Sequence, residues 1–255
     1  MGVIGSNIGM TIEPNNIYLA DCYEAIKDIP DKSVDLIVTD PPYKIENTNA
    51  GGKSEFAKSI QGMNDELESE ELNVDIDIKI LPEFLRICKK PNIYIWCNCK
   101  QIPTYLDFFV TKNECDFDIL IWNKTNALPL FYNKYLTDKE YCLYFRKGRY
   151  CNPKDYEHAK TVFNEPINAR DKKLFLHPTI KPLKIIKTLI ENSSKPNDII
   201  FDPFLGSGTT AIAAQETGRQ YIGFENNPKW FKIAQDRING ITASGQFSLF
   251  NGEIM

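Results

Sequence analysis

What the sequence lacks excludes several classes of protein. No apolar run approaches the roughly 20 residues that a helix needs to cross a bilayer, and the first residues lack the basic and apolar segments of a signal peptide. The seven cysteines include no C-x-x-C pair, and the chain has only two histidines. Zinc sites usually show such ligands paired at short spacing. We therefore expect a cytoplasmic protein with reduced thiols, no membrane segment and no metal centre.

The charge is unevenly distributed along the 255 residues, whose formal net charge is −4. Residues 121–190 contain 14 Lys and Arg against 6 Asp and Glu, whereas residues 64–77 contain seven acids and no base. A basic segment in an acidic chain is what a local phosphate-binding surface needs. A solvated, lysine-rich loop region would have the same composition, and both interpretations remain open.

Short β-rich runs alternate with helical patterns through most of the chain, which predicts a doubly wound α/β fold with a mostly parallel sheet. The predicted strands are 16–21, 34–40, 92–98, 117–123, 141–147, 198–204 and 220–226, and the predicted helices are 22–28, a stretch within 72–90, 102–113, 182–193, 208–217 and 228–239. Residues 44–70 predict a loop, residues 125–176 a basic and aromatic insert, and the residues after Gly240 a tail.

A glycine turn follows the predicted strand in "DIIFDPFLGSGTTAIAA". The turn comprises Asp202, Pro203, Phe204, Gly206, Ser207 and Gly208, with Thr209 at the start of the next helix. Such a turn lets backbone N–H groups approach a ligand, and Glu225, 19 residues after Gly206, is placed to bind ribose hydroxyls. Ala211 occupies the third glycine position of the dinucleotide fingerprint, so a nucleoside ligand without pyrophosphate fits better. The alternative is a glycine turn that only packs a helix on a strand.

A second turn ends the apolar run of "DLIVTDPPYKI", residues 35–45. Two prolines fix φ and remove N–H donors, so the Asp40 carboxylate and the Pro41 carbonyl are held as acceptors beside the ring of Tyr43. Two acceptors and a stacking ring suit a planar group with an exocyclic NH₂, such as a nucleobase. The alternative is a proline turn with Tyr43 packed in the core.

The motifs "DPPY", "DPFLGSGTT" and "GFEN" together resemble those of the amino-methylating DNA methyltransferases that use S-adenosylmethionine. The catalytic motif precedes the cofactor motif, an order similar to that of the β class. The segments "WNKTN" (122–126), "KEYCLYFRKG" (139–148) and "HPTIKPLKIIKTLI" (177–190) also resemble parts of this family. The resemblance covers roughly residues 16–148 and 177–238.

The resemblance implies a role for each matched residue. Asp40 and the Pro41 carbonyl would hold the target amine in the stiff turn that Pro42 completes, and Tyr43 would stack on the flipped base. The implied cofactor residues are Asp21, Asp40, Lys181, Asp202, Pro203, Phe204, Gly206, Ser207, Gly208, Thr209, Glu225 and Asn226. His177 is either part of this site or a local structural residue.

The resemblance also implies a division of the chain and a reaction. Residues 1–124 would form the catalytic half, 125–176 the target-recognition insert with one sheet strand near 141–147, 177–240 the cofactor-binding half, and 241–255 the tail. The expected reaction is methylation of adenine N6 in double-stranded DNA within a restriction-modification setting, because the Asp form of the turn goes mostly with adenine in this family. Cytosine N4, a protein amide, or a non-catalytic DNA-binding or clamp-associated module are the alternatives. C5-cytosine methylation is excluded, because no Pro-Cys dipeptide exists to supply its nucleophile.

The predicted partners are DNA, a second copy of the chain and a sliding clamp. Candidate DNA contacts are Arg146, Lys147, Arg149, Lys154, Lys160, Arg170, Lys172 and Lys173, with Tyr150 and Tyr156 among them. Homodimers are common in the family. The segment Gln246–Phe250 resembles the peptide by which bacterial replication proteins dock on the clamp; its apolar residues could instead cover the protein's own core.

Overall fold

The computed structural model describes residues 9–42, 75–129, 133, 135–148, 151–167 and 180–241. These residues form one eight-stranded sheet with helices on both faces. The strands are β1 Asn16–Leu19, β2 Leu36–Thr39, β3 Asn92–Cys97, β4 Asp116–Lys124, β5 Lys139–Arg146, β6 Val162–Glu165, β7 Ile199–Asp202 and β8 Gln220–Glu225. All seven predicted strands are present, and the doubly wound α/β prediction is confirmed.

The strand order is β1-β8-β7-β2-β3-β5-β4-β6. Neighbouring strands are parallel except at two junctions, where β5 runs antiparallel to both β3 and β4. The first residue of β5 therefore lies at the same edge of the sheet as the last residues of β2, β3 and β4. This edge, at the carboxyl ends of the parallel strands, is called the strand-end rim below.

The strand β6 was not predicted; it lies within the segment 125–176, for which only the strand near 141–147 was expected. This strand has only four residues, and it pairs with β4 alone, through Ile121 to Lys124. An edge strand that is buried on only one face, or on neither, does not need a run of apolar residues. The four residues Val162–Glu165 therefore show no β-pattern strong enough to detect in the sequence.

The described residues include six α-helices, which pack on the sheet. They are α1 Cys22–Ala25, α2 Leu81–Ile87, α3 Ile102–Leu106, α4 Leu183–Ser193, α5 Thr209–Glu216 and α6 Pro228–Ile238. Each lies within a predicted helix, and α1 and α3 are shorter than the ranges predicted for them. A 3₁₀ turn continues α1 over Ile26–Asp28, another precedes α2 over Ile78–Ile80, and a π-helical segment continues α3 over Asp107–Lys112.

Two apolar cores cover the two faces of the sheet. Side chains from α1, α2 and α3 pack on one face around Ile37, Ile93 and Phe201. Side chains from α4, α5 and α6 pack on the other face around Val38 and Ile200. Successive residues of a strand point to opposite faces, which explains why the buried β2 and β7 have apolar residues at consecutive positions.

The two central strands, β2 and β7, define a topological switch point. From β2 the chain crosses to β3 on one side, and from β7 it crosses to β8 on the other. The crossovers diverge there and leave a crevice outside the strand ends, which is where open α/β sheets bind ligands. No helix in the described part of the chain is long and apolar enough to span a bilayer.

Candidate active site

Three acids end adjacent strands at the rim. Glu225 is the last residue of β8, Asp202 is the last residue of β7, and Asp40 directly follows β2. Since β8, β7 and β2 are parallel neighbours, these acids meet at one edge although up to 185 positions separate them in the printed sequence. The predicted amine-binding turn and the predicted cofactor turn are thus neighbours across the switch point.

Asp40 has two differently occupied carboxylate oxygens. Its Oδ2 accepts a hydrogen bond from the Lys181 ammonium, and the two groups form an ion pair. Its Oδ1 is buried and has no hydrogen-bond partner among the described residues. A buried, unpaired acceptor costs free energy, so its presence at a ligand crevice indicates a donor that arrives with a substrate.

The Lys181 ammonium is shared between two carboxylates. Its Nζ lies 3.1 Å from Glu140 Oε2, while Glu140 Oε1 lies 2.6 Å from the Nζ of Lys124. Lys181 also lies over the Trp96 ring, at 5.4 Å from the centroid. Asp40, Lys181, Glu140 and Lys124 form a line of alternating charges, which we call the charge chain.

The strand directions explain how the charge chain forms. Glu140 is the second residue of the antiparallel β5, so it lies at the rim where Lys124 ends β4 and Asp40 follows β2. Lys181 approaches from the segment before α4 and is itself buried. No two members except Lys124 and Glu140 are close in the sequence.

The charge chain alters the acidity of both its carboxylates. Burial raises the pKa of Asp40; Lys181 opposes the rise, and Glu140 adds to it. Burial acts in the same direction on Glu140, but Lys181 and Lys124 together outweigh it and lower the pKa of Glu140 to about 2. Glu140 is therefore anionic at all ordinary pH values, while Asp40 is the more basic of the two carboxylates.

Asp202 joins the two halves of the site. Its Oδ1 accepts hydrogen bonds from Thr39 Oγ1 at 2.9 Å and from the Phe204 N–H at 3.1 Å. Its Oδ2 accepts one from Thr210 Oγ1 at 2.7 Å, on α5. Burial raises the pKa of Asp202 to about 7, against the effect of these donors. Because Thr39 immediately precedes Asp40, this carboxyl fixes the position of the proline turn at Asp40 relative to the glycine turn.

The glycine turn needs glycine for two reasons. Gly206 and Gly208 both have positive φ, 53° and 83°, and a Cβ on Gly208 would lie 3.1 Å from the Cβ of Ala234 on α6. Gly208 caps α5 without a side-chain hydrogen bond, so the turn presents backbone at this point. The buried Arg237 holds the turn from beneath, since it donates to Ser207 O at 2.5 Å and to Ser207 Oγ at 2.7 Å.

Glu225 is a buried acid bound to backbone N–H groups of the glycine turn and of the segment that follows β8. Its Oε2 accepts from the Gly206 N–H at 2.8 Å, and its Oε1 accepts from the Asn227 N–H at 2.9 Å. Burial raises the pKa of Glu225, although the backbone donors from Asn227, Gly206 and Asn226 oppose it. The position is that expected of a ribose-binding acid, at the end of the strand after the glycine turn.

The structure brings most of the predicted site residues to the rim. Asp21 follows β1 there, and its side chain caps α1 by accepting from the Tyr23 N–H at 2.8 Å. Asn226 is exposed beside Glu225, Pro203 is buried, and the half-buried Phe204 packs edge-on against the ring of Tyr23. The Oγ of Ser207 and that of Thr209 bond Arg237. The cofactor contacts predicted for all of these residues stay predictions.

Several predictions lie outside the described residues. They concern Tyr43, the loop 44–70, Arg149, Tyr150, Arg170, Lys172, Lys173, His177 and the Gln246–Phe250 segment. The described candidates for DNA contact include Lys154, which pairs with Glu191, and Lys160, which pairs with Glu157 and lies over the ring of the exposed Tyr156.

Sequence reasoning missed five residues that organise the site: Thr39, Lys124, Glu140, Thr210 and Arg237. Lys124 and Glu140 lie in "WNKTN" and "KEYCLYFRKG", segments noted only for their resemblance. Thr39 and Thr210 adjoin the two recognised turns. A sequence gives no signal for partners that only strand order brings together.

The crevice, the glycine turn and the buried acid define the class of the protein: a doubly wound protein that binds a nucleoside cofactor at the ends of its strands. The residues present fit S-adenosylmethionine, because Glu225 lies where a ribose-binding acid is expected and Gly206 to Gly208 leave backbone close to the crevice. A Cβ at Gly208 would lie 3.1 Å from the Cβ of Ala234, so α6 would have to shift slightly to make room for it.

Comparison with known proteins identifies the family. Residues 34–236 match the family model N6_N4_Mtase, described as DNA methylase. The chain is 32% identical over 239 residues to the Type II methyltransferase M2.LlaDCHI of Lactococcus lactis subsp. cremoris, covering 86% of this chain and 87% of the relative. The protein therefore belongs to the N6/N4 family of DNA methyltransferases, and its methyl donor is S-adenosylmethionine.

Solved structures agree with this assignment. The M1.HpyAVI–SAM complex superimposes with a TM-score of 0.64 at 25% identity, covering 87% of this chain and 98% of that one. The cytosine-N4-specific PvuII DNA methyltransferase has a TM-score of 0.63 at 17% identity, covering 89% and 87%. The likeness to the PvuII enzyme shows a common fold.

Proposed function

We propose that the protein methylates the N6 amine of adenine in double-stranded DNA. The observation that supports this most directly is the buried Oδ1 of Asp40, which has no partner among the described residues. An exocyclic amine offers two N–H donors, and Oδ1 of Asp40 and the Pro41 carbonyl would accept one each. The target base must leave the helix to reach them, at a cost of a few kcal/mol.

Asp40 would act on the nucleophile. An exocyclic amine delocalises its lone pair into the ring and is a weak nucleophile, and two accepted hydrogen bonds return electron density to the nitrogen. After the nitrogen has been methylated it is positively charged, and Oδ1 of Asp40 accepts the proton that it releases. The raised pKa of Asp40 favours this transfer.

The cofactor would be held by the other half of the rim. When bound, S-adenosylmethionine supplies a methyl group on a positively charged sulfur, whose bonding electron pair stays with the sulfur on transfer. Glu225 would accept hydrogen bonds from the ribose, and the backbone of Gly206 to Gly208 would contact the methionine end. Asp202, through Thr39, would keep the two halves at a fixed separation, which is the main requirement of a two-substrate reaction.

Cytosine N4 is the second candidate target. Its amine presents the same two donors to Asp40 and Pro41, and the fold is shared with a cytosine-N4-specific enzyme. The aspartate at position 40 is the feature that favours adenine, by resemblance. Base recognition by the insert 125–176, dimerisation, and clamp docking through Gln246–Phe250 are further parts of the proposal.

The test is incubation with labelled S-adenosylmethionine and mixed-sequence unmethylated duplex DNA, followed by nucleoside mass spectrometry. We expect N6-methyladenine from the wild type and none from Asp40→Ala, whose cofactor binding should stay largely intact because Lys181 and Glu225 remain. N4-methylcytosine would change the target and keep the mechanism. Turnover by Asp40→Ala at the wild-type rate would refute the role of Asp40.

A further inference from the structure

Glu140 contacts Asp40 only through Lys181, yet it lies in the same buried line of charges. The Lys181 ammonium bonds Asp40 Oδ2 on one side and lies 3.1 Å from Glu140 Oε2 on the other. The Lys124 ammonium, 2.6 Å from Glu140 Oε1, closes the line. Lys181, Glu140 and Lys124 are all at least four-fifths buried as side chains, so water screens these interactions little.

We propose that Glu140 is a positioning residue for methyl transfer: by sharing the Lys181 ammonium with Asp40, it leaves Asp40 one free oxygen and enough negative charge to take the amine proton. This inference rests on the proposed role of Asp40 as the acceptor. It adds a residue from β5, on the other side of the crevice from the cofactor turn.

The shared lysine resolves a conflict in the demands on Asp40. A carboxylate buried without a counter-ion would be protonated and could not accept the amine hydrogen bond. A carboxylate paired exclusively with one ammonium would stay ionised but would be a weak base. A second carboxylate on the far side of Lys181 reduces the attraction that reaches Asp40, so the pKa of Asp40 is higher than it would be beside Lys181 without Glu140.

The line of charges also fixes which oxygen reacts. The ammonium of Lys181 is held on Oδ2 by its contacts with Glu140 and with the Trp96 ring. Oδ1 is then the oxygen left without a partner among the described residues. The proton balance is simple: the methylated nitrogen loses one proton, Oδ1 gains it, and it returns to solvent after the product leaves.

Every titratable neighbour of Asp40 must be considered before a pH effect is assigned to Glu140. The described groups that interact with Asp40 are Lys181, Glu140, Lys124, Asp202, Cys97, Cys142 and Tyr105. Burial raises the pKa of Cys97 to about 12 and also raises those of Cys142 and Tyr105. Among these neighbours Asp202, with its pKa of about 7, is the one that titrates in the working range.

Two substitutions with opposite expected effects test the proposal. Glu140→Gln removes the second carboxylate beside Lys181, so the acid limb of the kcat–pH profile should move to lower pH by about one unit, the effect of one adjacent charge. Maximal turnover should fall because Asp40 is a weaker base, while KM for the cofactor changes less than about twofold. Lys124→Met draws Lys181 towards Glu140, so the acid limb should move to higher pH. Glu140→Asp, which keeps the charge, should recover part of the wild-type profile.

A second measurement does not depend on turnover. Carbon-13 NMR of protein labelled at the aspartate carboxyls follows Asp40 and Asp202 separately, with Asp40→Asn and Asp202→Asn as assignments. The Asp40 resonance should titrate at lower pH in Glu140→Gln and at higher pH in Lys124→Met. Asp107→Asn, which removes an exposed ion pair with Lys112, is the matched control and should leave it unchanged.

The outcomes separate this inference from the proposed function. A wild type that produces no methylated base would refute the proposed function, and the NMR titration would still decide the effect of Glu140 on Asp40. Folded Glu140→Gln protein with a wild-type pH profile and a wild-type Asp40 titration would overturn the inference, even if the wild type methylates DNA.

Discussion

At the scale of single residues, the site depends on carboxylates in three different states. Two lysines hold Glu140 ionised. Asp40 pairs with Lys181 through one carboxylate oxygen, and its other oxygen has no hydrogen-bond partner among the described residues. Asp202 accepts hydrogen bonds from hydroxyl and backbone donors and contacts no described cation. Burial acts on all three in the same direction, so the neighbours decide the charge of each. The unfolding free energy, through Asp202, and the turnover number, through Asp40, should therefore depend on pH in different ways.

The stability of the cofactor-free protein should fall as pH rises through neutrality because of Asp202. Its pKa is about 7 in the folded chain and 3.8 in its ordinary state, so the protonated form is favoured by folding. The contribution is fully present below about pH 4 and is lost as pH rises through 7, at about 1.4 kcal/mol per pKa unit. In Asp202→Asn, whose amide oxygen can still accept from Phe204, the part of this pH dependence that comes from Asp202 should be lost, while the part from Asp40 and Glu225, whose pKa values burial also raises, remains.

Urea unfolding at several pH values between 5 and 8.5 measures the effect. The matched control is Asp107→Asn, since Asp107 is an exposed carboxylate on the π-helical segment and should keep the wild-type dependence. If Asp202→Asn keeps the same slope of unfolding free energy against pH as the wild type, Asp202 is not the buried acid responsible.

At the scale of elements, the glycine turn and α5 act as one unit. The turn joins β7 to α5, and Arg237 and Ala234 of α6 pack beneath it. A change in the turn should thus affect both stability and cofactor binding, whereas a change at the far end of α5 should affect stability alone.

Gly208 and Gly218 provide a matched pair for this test. Both have positive φ, 83° and 71°, so alanine at either position incurs the left-handed backbone cost of about 1–2 kcal/mol. A Cβ at Gly208 also meets Ala234 at 3.1 Å, whereas at Gly218 it meets nothing within 4 Å. Gly208→Ala should lose about 1–3 kcal/mol more stability, the usual cost of overpacking.

Urea unfolding and cofactor titration calorimetry check both parts of this prediction. Gly208→Ala should weaken cofactor binding, and Gly218→Ala should bind as the wild type does. Equal losses of stability in the two variants, with unchanged cofactor affinity in both, would contradict the role given to the turn.

The elements also show what the sequence could and could not predict. Apolar runs bounded by turn residues located β2, β3 and β7, because strands buried on both faces need such runs. The strand β6 was missed, since an edge strand of four residues is stabilised by its pairing with β4 rather than by its own pattern. The π-helical end of the helix predicted at 102–113 has no signature in composition either.

At the scale of the whole molecule, the sequence located both turns but not the network between them. Asp40 and Asp202 could be predicted because each is part of a contiguous motif, and motifs are local. Glu140 and Lys181 could not be joined to Asp40 in this way, because strand order and the antiparallel direction of β5 bring them together. Buried ion pairs between distant segments are properties of topology, and one sequence does not encode them in any short pattern.

We also expect the bound cofactor to raise the stability of the whole folded protein. A ligand that binds only the folded state adds RT ln(1 + [L]/Kd), about 2.7 kcal/mol at a hundred times Kd. For a chain of this size that corresponds to a rise in Tm of about 5–10 °C. Glu225→Gln should lose much of this rise in Tm. A hydrogen bond to a charged acceptor contributes about 1.5–3 kcal/mol, so its loss should raise the Kd for the cofactor roughly ten- to a hundredfold.

Thermal unfolding with and without S-adenosylmethionine, at one fixed concentration, measures this difference. The matched control is Glu216→Gln, the same substitution at the end of α5. Glu216 lies far from the rim and forms an ion pair with Lys187, with 3.1 Å between Oε2 and Nζ. Its own Tm should fall slightly while its rise with cofactor stays at the wild-type size. If the cofactor raises the Tm of Glu225→Gln as much as that of the wild type, other residues of the crevice hold the ribose. The Glu225 carboxylate would then only bind the backbone N–H groups of Gly206 and Asn227.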